Sequence, residues 1–277
     1  MTHAMLKSGL LALTLTLGTG CDEASPADPQ DPKPPAFAAS DKGLIIPAYF
    51  YPTWWDAETN FWDEVVAAAA QVPIIAIINP ASGPGTESNG DYQRVVTEVS
   101  AAGGRLIGYV HTSYTERDMA TVLAEVDLYY QWYQVDGIFF DEVTNDADSA
   151  HLEYYAACFA HVRGKDPEAL VVLNPGTDAA AEYLDSATQM ILFEKNHAQN
   201  PLSAWTPRSW VADAAAQQVS VLSHNVPDAA AMRTAVDRAA AANSGWFYIT
   251  DDVLPNPWDR LPSYWAEELE AIRAHNQ

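Results

Sequence analysis

The chain has few cysteines and few basic residues, and each shortage excludes a class of protein. Two of its 277 residues are cysteine, Cys21 and Cys158, which is too few for a disulfide framework. Cys158 stands in an apolar helical run, where a lone cysteine is expected to belong to the core. Lys and Arg number 14 against 37 Asp and Glu, so the formal net charge is −23. This balance argues against nucleic acids and anionic membrane surfaces as partners, and it suits either a cationic ligand or a solubilising acidic surface.

Several catalytic signatures are also missing. No GxGxxG loop follows the first predicted strand, which argues against a dinucleotide site. Seven histidines are present, but there is no HExxH and no close His pair beside the acidic strand ends, so a zinc site is not expected. There is no GxSxG elbow for a nucleophilic serine and no Cys-His arrangement. We therefore expect no metal and no cofactor, although a divalent ion held by carboxylates alone stays open.

The first residues have the composition of an export signal. Lys7 precedes the apolar stretch 8–20, which is typical of a signal peptide and too short to span a bilayer. The small residues 18–20 lead into Cys21 in a pattern resembling the lipobox of bacterial lipoproteins, and the alternative is an ordinary signal peptide with an incidental cysteine. We predict a signal peptide over 1–20, lipidation of Cys21 and a Pro-rich linker over 21–42. The protein is then exported, as a cell-envelope lipoprotein or in secreted form, and meets the membrane only through a lipid anchor.

Residues 43–277 alternate short apolar or β-branched runs with longer Ala-rich segments of helical period, a pattern that indicates parallel strands joined by helices. Strands are predicted at residues 44–49, 73–79, 105–110, 137–141, 169–174, 189–194, 220–224 and 245–250. Helices are predicted at residues 58–71, 92–102, 118–134, 148–163, 203–217, 227–242 and 262–275. We therefore predict one α/β domain, a (β/α)8 TIM barrel expected to be monomeric, with a doubly wound open sheet as the alternative.

Three carboxylates stand at the ends of apolar strands, where charge is costly unless it is solvated or used. Asp141 and Glu142 close the fourth predicted strand, and Glu194 closes the sixth. In a (β/α)8 barrel these strand ends meet at one rim, where barrel enzymes hold their catalytic groups. Paired carboxylates facing one cleft are what glycoside hydrolysis requires. The alternative interpretation is that an acidic strand end simply caps the next helix.

Further polar and aromatic residues are predicted at the same rim, where they could stack on or hydrogen-bond to sugars. Each one alone could equally serve packing or turn formation. The candidate substrate-binding residues are Tyr49, Tyr51, Asn79, Tyr109, His111, Thr112, Asn174, His224 and Asp251, the last beside Asp252.

Several long motifs, in order along the chain, resemble the spherulin-4 family. They are IIP at 45–47 with YP at 51–52, INPASGPG at 78–85, GYVHTSY at 108–114, GIFFDE at 137–142 and NPGT at 174–177. Members of that family assigned to glycoside hydrolase family 135 hydrolyse galactosaminogalactan, and the related family 114 acts on α-1,4-galactosamine linkages. The resemblance implies a polysaccharide hydrolase whose functional carboxylates correspond to Asp141, Glu142 and Glu194.

By analogy with related retaining barrels, our hypothesis is that Asp141 is the nucleophile, Glu194 the general acid/base, and Glu142 a group that tunes or binds. The two catalytic carboxyls are then expected about 5 to 5.5 Å apart. The expected substrate is an α-1,4-linked galactosamine or N-acetylgalactosamine exopolysaccharide cut internally, and partial deacetylation would make it cationic. The competing interpretations are a non-catalytic glycan-binding surface protein and a hydrolase of a different α-linked glycan.

Overall fold

The computed structural model describes residues 37–277. The predicted signal peptide, Cys21 and most of the predicted linker lie outside these residues. Within them, eight parallel strands close into a barrel in sequence order, because the eighth strand pairs with both the seventh and the first. The predicted (β/α)8 barrel is confirmed. No helix among these residues is both long enough and apolar enough to span a bilayer.

The strands are apolar because both of their faces are covered by protein, as is usual for parallel sheets. All eight lie where the sequence predicts them, within a residue or two. Their bounds are β1 Gly43–Ala48, β2 Ile74–Ile78, β3 Arg105–His111, β4 Gly137–Asp141, β5 Leu170–Leu173, β6 Gln189–Asn196, β7 Val219–His224 and β8 Trp246–Ile249.

Six α-helices occur in residues 37–277, each overlapping a predicted one. Their bounds are α1 Trp62–Ala69, α2 Gly90–Ala101, α3 Met119–Tyr133, α4 Ser149–Lys165, α5 Ala229–Ala241 and α6 Trp265–His275. Four begin directly after a residue whose side chain accepts a hydrogen bond from the first helical turn, which satisfies a free backbone N–H. These caps are Asn89, Asp118, Asp148 and Asp228.

The prediction of a helix over residues 203–217 is wrong. The structure has three short 3-10 helices there, at Leu202–Ala204, Ser209–Ala212 and Ala216–Gln218. The connection after β5 likewise holds only a 3-10 helix, Ala181–Ser186. Pro207 lies inside the segment predicted to be helical, and proline removes a backbone donor and disfavours helical geometry in the residue before it. The helical layer is therefore thin outside β5 and β6.

Two glycines set the orientation of the strands that carry the site. A β-carbon at Gly108 of β3 would lie 2.5 Å from the ring of Tyr129 in α3, so that face of β3 is covered by the helix. Since side chains alternate along a strand, the neighbouring Tyr109 points to the other face, into the barrel. A β-carbon at Gly137 of β4 would lie 2.1 Å from the carbonyl oxygen of Leu170, so β4 and β5 approach closely where β4 begins.

Cys158 is fully buried in α4, which confirms its predicted place in the core. Burial raises the pKa of its thiol to about 12. The thiol therefore stays protonated and unreactive at neutral pH.

Candidate active site

The site lies at the carboxyl ends of β4, β5 and β6. Asp141 is the last residue of β4, Asn174 directly follows β5, and Glu194 lies near the end of β6. The pairing of β6 with β7 shifts register between Ile191 and Phe193, just before Glu194. Such bulges commonly re-aim a side chain beside an active site. Three neighbouring strands thus bring two carboxylates and one amide together.

A single amide nitrogen joins the two carboxylates. Asn174 Nδ2 donates to Asp141 Oδ1 at 2.8 Å and to Glu194 Oε2 at 2.7 Å. Those two oxygens can therefore be no further apart than the sum of these two distances. Carboxylates that share one donor in this way are close together, as in retaining glycosidases, whose carboxyl groups lie about 5 to 5.5 Å apart, and unlike inverting ones, where the separation is roughly 6.5 to 9.5 Å. The Asn174 Oδ1 atom accepts from the Gly176 N–H at 2.9 Å, which fixes the orientation of the amide.

The two carboxyl groups differ in their titration. Burial, and then the negative charge of Asp141, raises the pKa of Glu194 to about 7, against the lowering effect of the Asn174 hydrogen bond. Burial also raises the pKa of Asp141, although the Glu142 backbone, the Tyr109 hydroxyl and the Asn174 amide oppose the shift. The arrangement provides one group that can hold a proton near neutral pH and a neighbour supplied with hydrogen-bond donors that favour its ionised form.

Two tyrosines form a wall beside Asp141. The Tyr109 hydroxyl donates to Asp141 Oδ2 at 2.9 Å. The Tyr49 ring meets the Tyr109 ring edge-on, with centroids 5.6 Å apart. Burial and the nearby charges of Asp141 and Glu194 raise the pKa of Tyr49 well above its usual value, so it remains a neutral donor.

Glu142 is half-buried at the start of the loop after β4, in a left-handed backbone conformation (φ 55°) that is uncommon outside glycine. Its carbonyl oxygen accepts from the Tyr114 N–H at 2.7 Å and from the Thr112 hydroxyl at 2.9 Å. Thr112 is fully buried, and its hydroxyl also approaches the Asp141 carbonyl oxygen and the hydroxyl of Tyr155. Thr112 therefore stabilises the backbone at the end of β4. Because its side chain is fully buried, the prediction that it contacts substrate does not fit the structure.

The polar groups of three other predicted rim residues bond within the protein. The Tyr51 hydroxyl donates to Asp91 at 2.6 Å, and Asn79 Oδ1 accepts from the Gly83 N–H at 2.9 Å. Asp251 pairs with Arg260 at 2.8 Å. Tyr51 still exposes 42% of its surface, so its ring is open to solvent. None of these three side chains hydrogen-bonds to Asp141, Asn174 or Glu194.

The two predicted histidines lie on strands that flank the Asp141, Asn174 and Glu194 site: His111 ends β3 and His224 ends β7. The His111 ring stacks beside Tyr109, with centroids 6.4 Å apart, and its Nδ1 lies 3.3 Å from Arg117. His224 is buried against Trp258, and burial lowers the pKa of its imidazole. Among residues 37–277 no three His, Cys, Asp or Glu side chains cluster closely enough to hold a metal ion.

The sequence does not single out Tyr114 as a site residue, although it ends the GYVHTSY motif at 108–114. It exposes 58% of its surface, and the charges of Glu142, Asp141 and Glu194 contribute, after burial, to raising the pKa of its hydroxyl. Ser113, Tyr114 and Thr115 have φ angles of 46°, 55° and 75°, three successive non-glycine residues in the left-handed region. Only the folded loop brings the Tyr114 hydroxyl near enough to the three carboxylates for their charges to act on it.

A closed parallel barrel with paired carboxylates at its C-terminal rim has the architecture of a glycoside hydrolase, and solved structures agree. The crystal structure of Aspergillus clavatus Sph3 in complex with GalNAc superposes with a TM-score of 0.73 at 25% identity, covering 86% of this chain and 99% of that one. An α-amylase from Geobacillus thermoleovorans, complexed with acarbose, superposes with a TM-score of 0.51 at 8% identity over 86% of this chain and 78% of that one, which shows the shared fold alone.

The chain belongs to the spherulin-4 family. The family model Spherulin4, described as spherulation-specific family 4, matches residues 43–272. Spherulin-4 of Physarum polycephalum is 30% identical over 242 residues, which cover 84% of this chain and 70% of that protein. The family resemblance found in the sequence is thereby confirmed.

Proposed function

We propose that the protein is a retaining glycoside hydrolase that cuts internal α-1,4 linkages of a polysaccharide containing galactosamine and N-acetylgalactosamine. The observation that carries the proposal is the Asn174 bridge, which keeps Asp141 and Glu194 close together and so supports double displacement. The complex of the related Sph3 with GalNAc supports the choice of sugar.

In this mechanism Glu194 protonates the leaving glycosidic oxygen while Asp141 attacks the anomeric carbon. A pKa of about 7 keeps much of Glu194 protonated near neutral pH, as a general acid requires. When Asp141 becomes a neutral ester, the negative charge that helps to raise the pKa of Glu194 disappears. Glu194 then ionises more easily and can act as the base that activates water in the second step.

The direct test is hydrolysis by the purified full chain. Galactosamine-containing polysaccharide and control glycans are incubated with the wild type and with the Asp141→Asn and Glu194→Gln variants, and released oligosaccharides are analysed. We expect the wild type to cleave only the galactosamine polymer and each variant to lose at least about a thousandfold in rate. Binding without cleavage by the wild type would instead support a glycan-binding surface protein, and unchanged activity in folded variants would reject the site.

We further propose that the protein is exported and carries a lipid on Cys21, a proposal that rests on the sequence of residues 1–21. Mass spectrometry of the mature N-terminus tests it. The expected product begins at Cys21 with added acyl groups, and a Cys21→Ser variant should appear in the soluble fraction. A mature chain that begins elsewhere without acylation would contradict lipidation.

A further inference from the structure

Arg117 joins the end of β3 to helix α3. Its guanidinium forms a bidentate ion pair with Glu125 of α3, with Nη1 3.0 Å from Oε2 and Nη2 2.5 Å from Oε1. The two side chains are largely buried, exposing 17% and 23% of their surface. Nη1 also donates to the His111 carbonyl oxygen at 2.7 Å. The guanidinium is therefore held against His111, the last residue of β3.

The same guanidinium determines which nitrogen of the His111 ring carries the proton. Arg117 Nη1 lies 3.3 Å from His111 Nδ1. The hydrogen bonds to Glu125 raise the pKa of the guanidinium, so it stays protonated and can only donate. An N–H at Nδ1 would face a cationic N–H at that distance, whereas an unprotonated Nδ1 accepts a hydrogen bond. The imidazole proton is therefore on Nε2, since the bond made by one ring nitrogen sets the protonation of the other.

The protonated Nε2 of His111 is a free donor beside the carboxylates. His111 and Tyr109 are two residues apart in β3, so they share the strand face that points into the barrel. Their rings stack with centroids 6.4 Å apart, and His111 is the register partner of Asp141 in β4. Within residues 37–277, Nε2 has no hydrogen-bond partner, and the atom is not sealed from solvent. A ligand beside Asp141 can therefore reach it.

We propose that Arg117 is a positioning residue: it fixes the His111 ring so that Nε2–H donates to an oxygen of the sugar bound at the carboxylates. A hydroxyl or an acetamido carbonyl oxygen can accept this hydrogen bond, whereas an ammonium group only donates. The sugar therefore presents an oxygen, and not a charged amine, to His111. Fixing the ring in advance removes the cost of ordering it when the sugar binds. This contact rests on the proposed polysaccharide substrate and specifies how it is recognised.

The first test reads the protonation of the His111 ring directly. The full chain is made with isotope-labelled histidine, and two-bond proton–nitrogen correlation spectra at slightly alkaline pH show which ring nitrogen carries the proton. We expect the wild-type ring to hold its proton on Nε2 alone. Arg117→Met, which keeps an unbranched side chain without its donors, should show both forms. Glu125→Gln keeps the Arg117 donor and should retain the wild-type form. The signals of His161, whose Nε2 bonds to Asp127 at 2.6 Å, should stay unchanged throughout.

The second test shows whether Arg117 acts on the ligand through His111. In a full chain with Glu194→Gln, which prevents turnover, calorimetry gives the affinity for a six-unit α-1,4-linked N-acetylgalactosamine oligomer. We expect Arg117→Met and His111→Phe each to weaken binding about three- to tenfold, as the loss of one hydrogen bond would. The double variant should bind no more weakly than His111→Phe alone, because a positioning residue has no effect once its target is gone. His111→Gln, whose amide nitrogen can take the place of Nε2, should restore most of the affinity.

A wild-type ring with its proton on Nδ1, an unchanged ring in Arg117→Met, or additive losses in the double variant would overturn the positioning role. No binding of the oligomer, or equal binding by His111→Phe, would overturn the contact with the sugar. Cleavage of the same oligomer by the unmodified chain is measured in parallel and tests the proposed function separately. Binding that depends on His111 without cleavage supports the contact and contradicts the hydrolase. Cleavage with equal affinities in all variants supports the hydrolase and contradicts the contact.

Discussion

Asn174 couples the two carboxylates because one nitrogen donates to both. Its hydrogen bonds lower the pKa of Asp141 and the pKa of Glu194, each of which burial raises. The amide thus moderates both titrations while it fixes the distance between the two groups. Removing the Asn174 amide therefore changes both the distance between the two carboxyls and their pKa values.

We predict that Asn174→Ala slows hydrolysis and shifts its pH profile. Losing the hydrogen bonds should lower kcat/KM by about ten- to a hundredfold, since a bond to a charged group contributes about 1.5–3 kcal/mol. Without those donors the pKa values of both carboxyls rise. The acid limb, set by Asp141, and the alkaline limb, set by Glu194, should both move to higher pH.

The measurement is kcat/KM against pH for the wild type and for Asn174→Ala. Asn256→Ala provides the control, because the Asn256 side chain accepts from the backbone of Trp258 on the loop after β8. That variant should keep the wild-type profile. A slower Asn174→Ala enzyme whose limbs stay in place would show that the amide acts on geometry alone.

At this scale the sequence predicts some contacts and misses others for a physical reason. Asp141 and Glu194 could be found because costly charges end apolar strands. The shared nitrogen of Asn174 could not, because it depends on how three strand ends meet. Thr112 is polar and lies where the rim is predicted, yet its hydroxyl is buried against the carbonyl oxygens of Asp141 and Glu142.

Among the elements, β4 is the strand that depends most on a glycine. Gly137→Ala would place a β-carbon 2.1 Å from the Leu170 carbonyl oxygen, so β4 and β5 must separate. We expect the free energy of unfolding to fall by about 1–3 kcal/mol or more. Urea denaturation measures it, with Gly164→Ala in α4 as control, because a β-carbon there meets nothing within 4 Å. That control should be stabilised by about 0.5–1 kcal/mol, and equal stability of the two variants would contradict the close strand approach.

Helix α6 carries a buried carboxyl beneath β8. Glu268 is fully buried, its Oε1 accepts from the Ile249 N–H at 2.9 Å, and burial raises its pKa from 4.5 to about 8. The folded state therefore binds this proton more tightly than the unfolded state does. The resulting stability is fully present below pH about 4.5 and is progressively lost as pH rises to about 8.

We predict that Glu268→Gln, which cannot ionise, lacks this dependence. The difference in unfolding free energy, wild type minus variant, should fall between pH 5 and 8 by at most about 1.4 kcal/mol per pH unit. Urea titrations of both proteins at several pH values give that difference. Parallel stability curves would show that Glu268 keeps one protonation state in the folded and unfolded chains.

The elements also show where patterns of hydrophobicity suffice. All eight strands and six of the seven predicted helices follow from periodicity, because both faces of the strands and one face of each helix are covered. The helix prediction for residues 203–217 is wrong because their alanines favour a helix, whereas Pro207 removes one of the hydrogen bonds that the helix would need. The three 3-10 helices that replace the predicted helix are set by tertiary packing, which no local pattern predicts.

For the whole molecule, the net charge of −23 predicts how substrate association depends on salt. An acidic protein attracts a cationic polymer over about 10 Å at low ionic strength, and salt screens that attraction. We expect kcat/KM on partly deacetylated polymer to fall severalfold between about 50 and 500 mM salt. Fully acetylated polymer should show little change. A higher rate on neutral α-galactan than on deacetylated polymer would contradict the electrostatic role.

The central claim is that Asp141 and Glu194 hydrolyse an α-1,4-galactosamine polymer by double displacement. Proton NMR of the newly formed reducing ends, recorded before mutarotation, tests it most directly. The wild type should release the α-anomer first, because two displacements at the anomeric carbon restore its configuration. Initial release of the β-anomer, or no new reducing ends from this polymer, would contradict the claim.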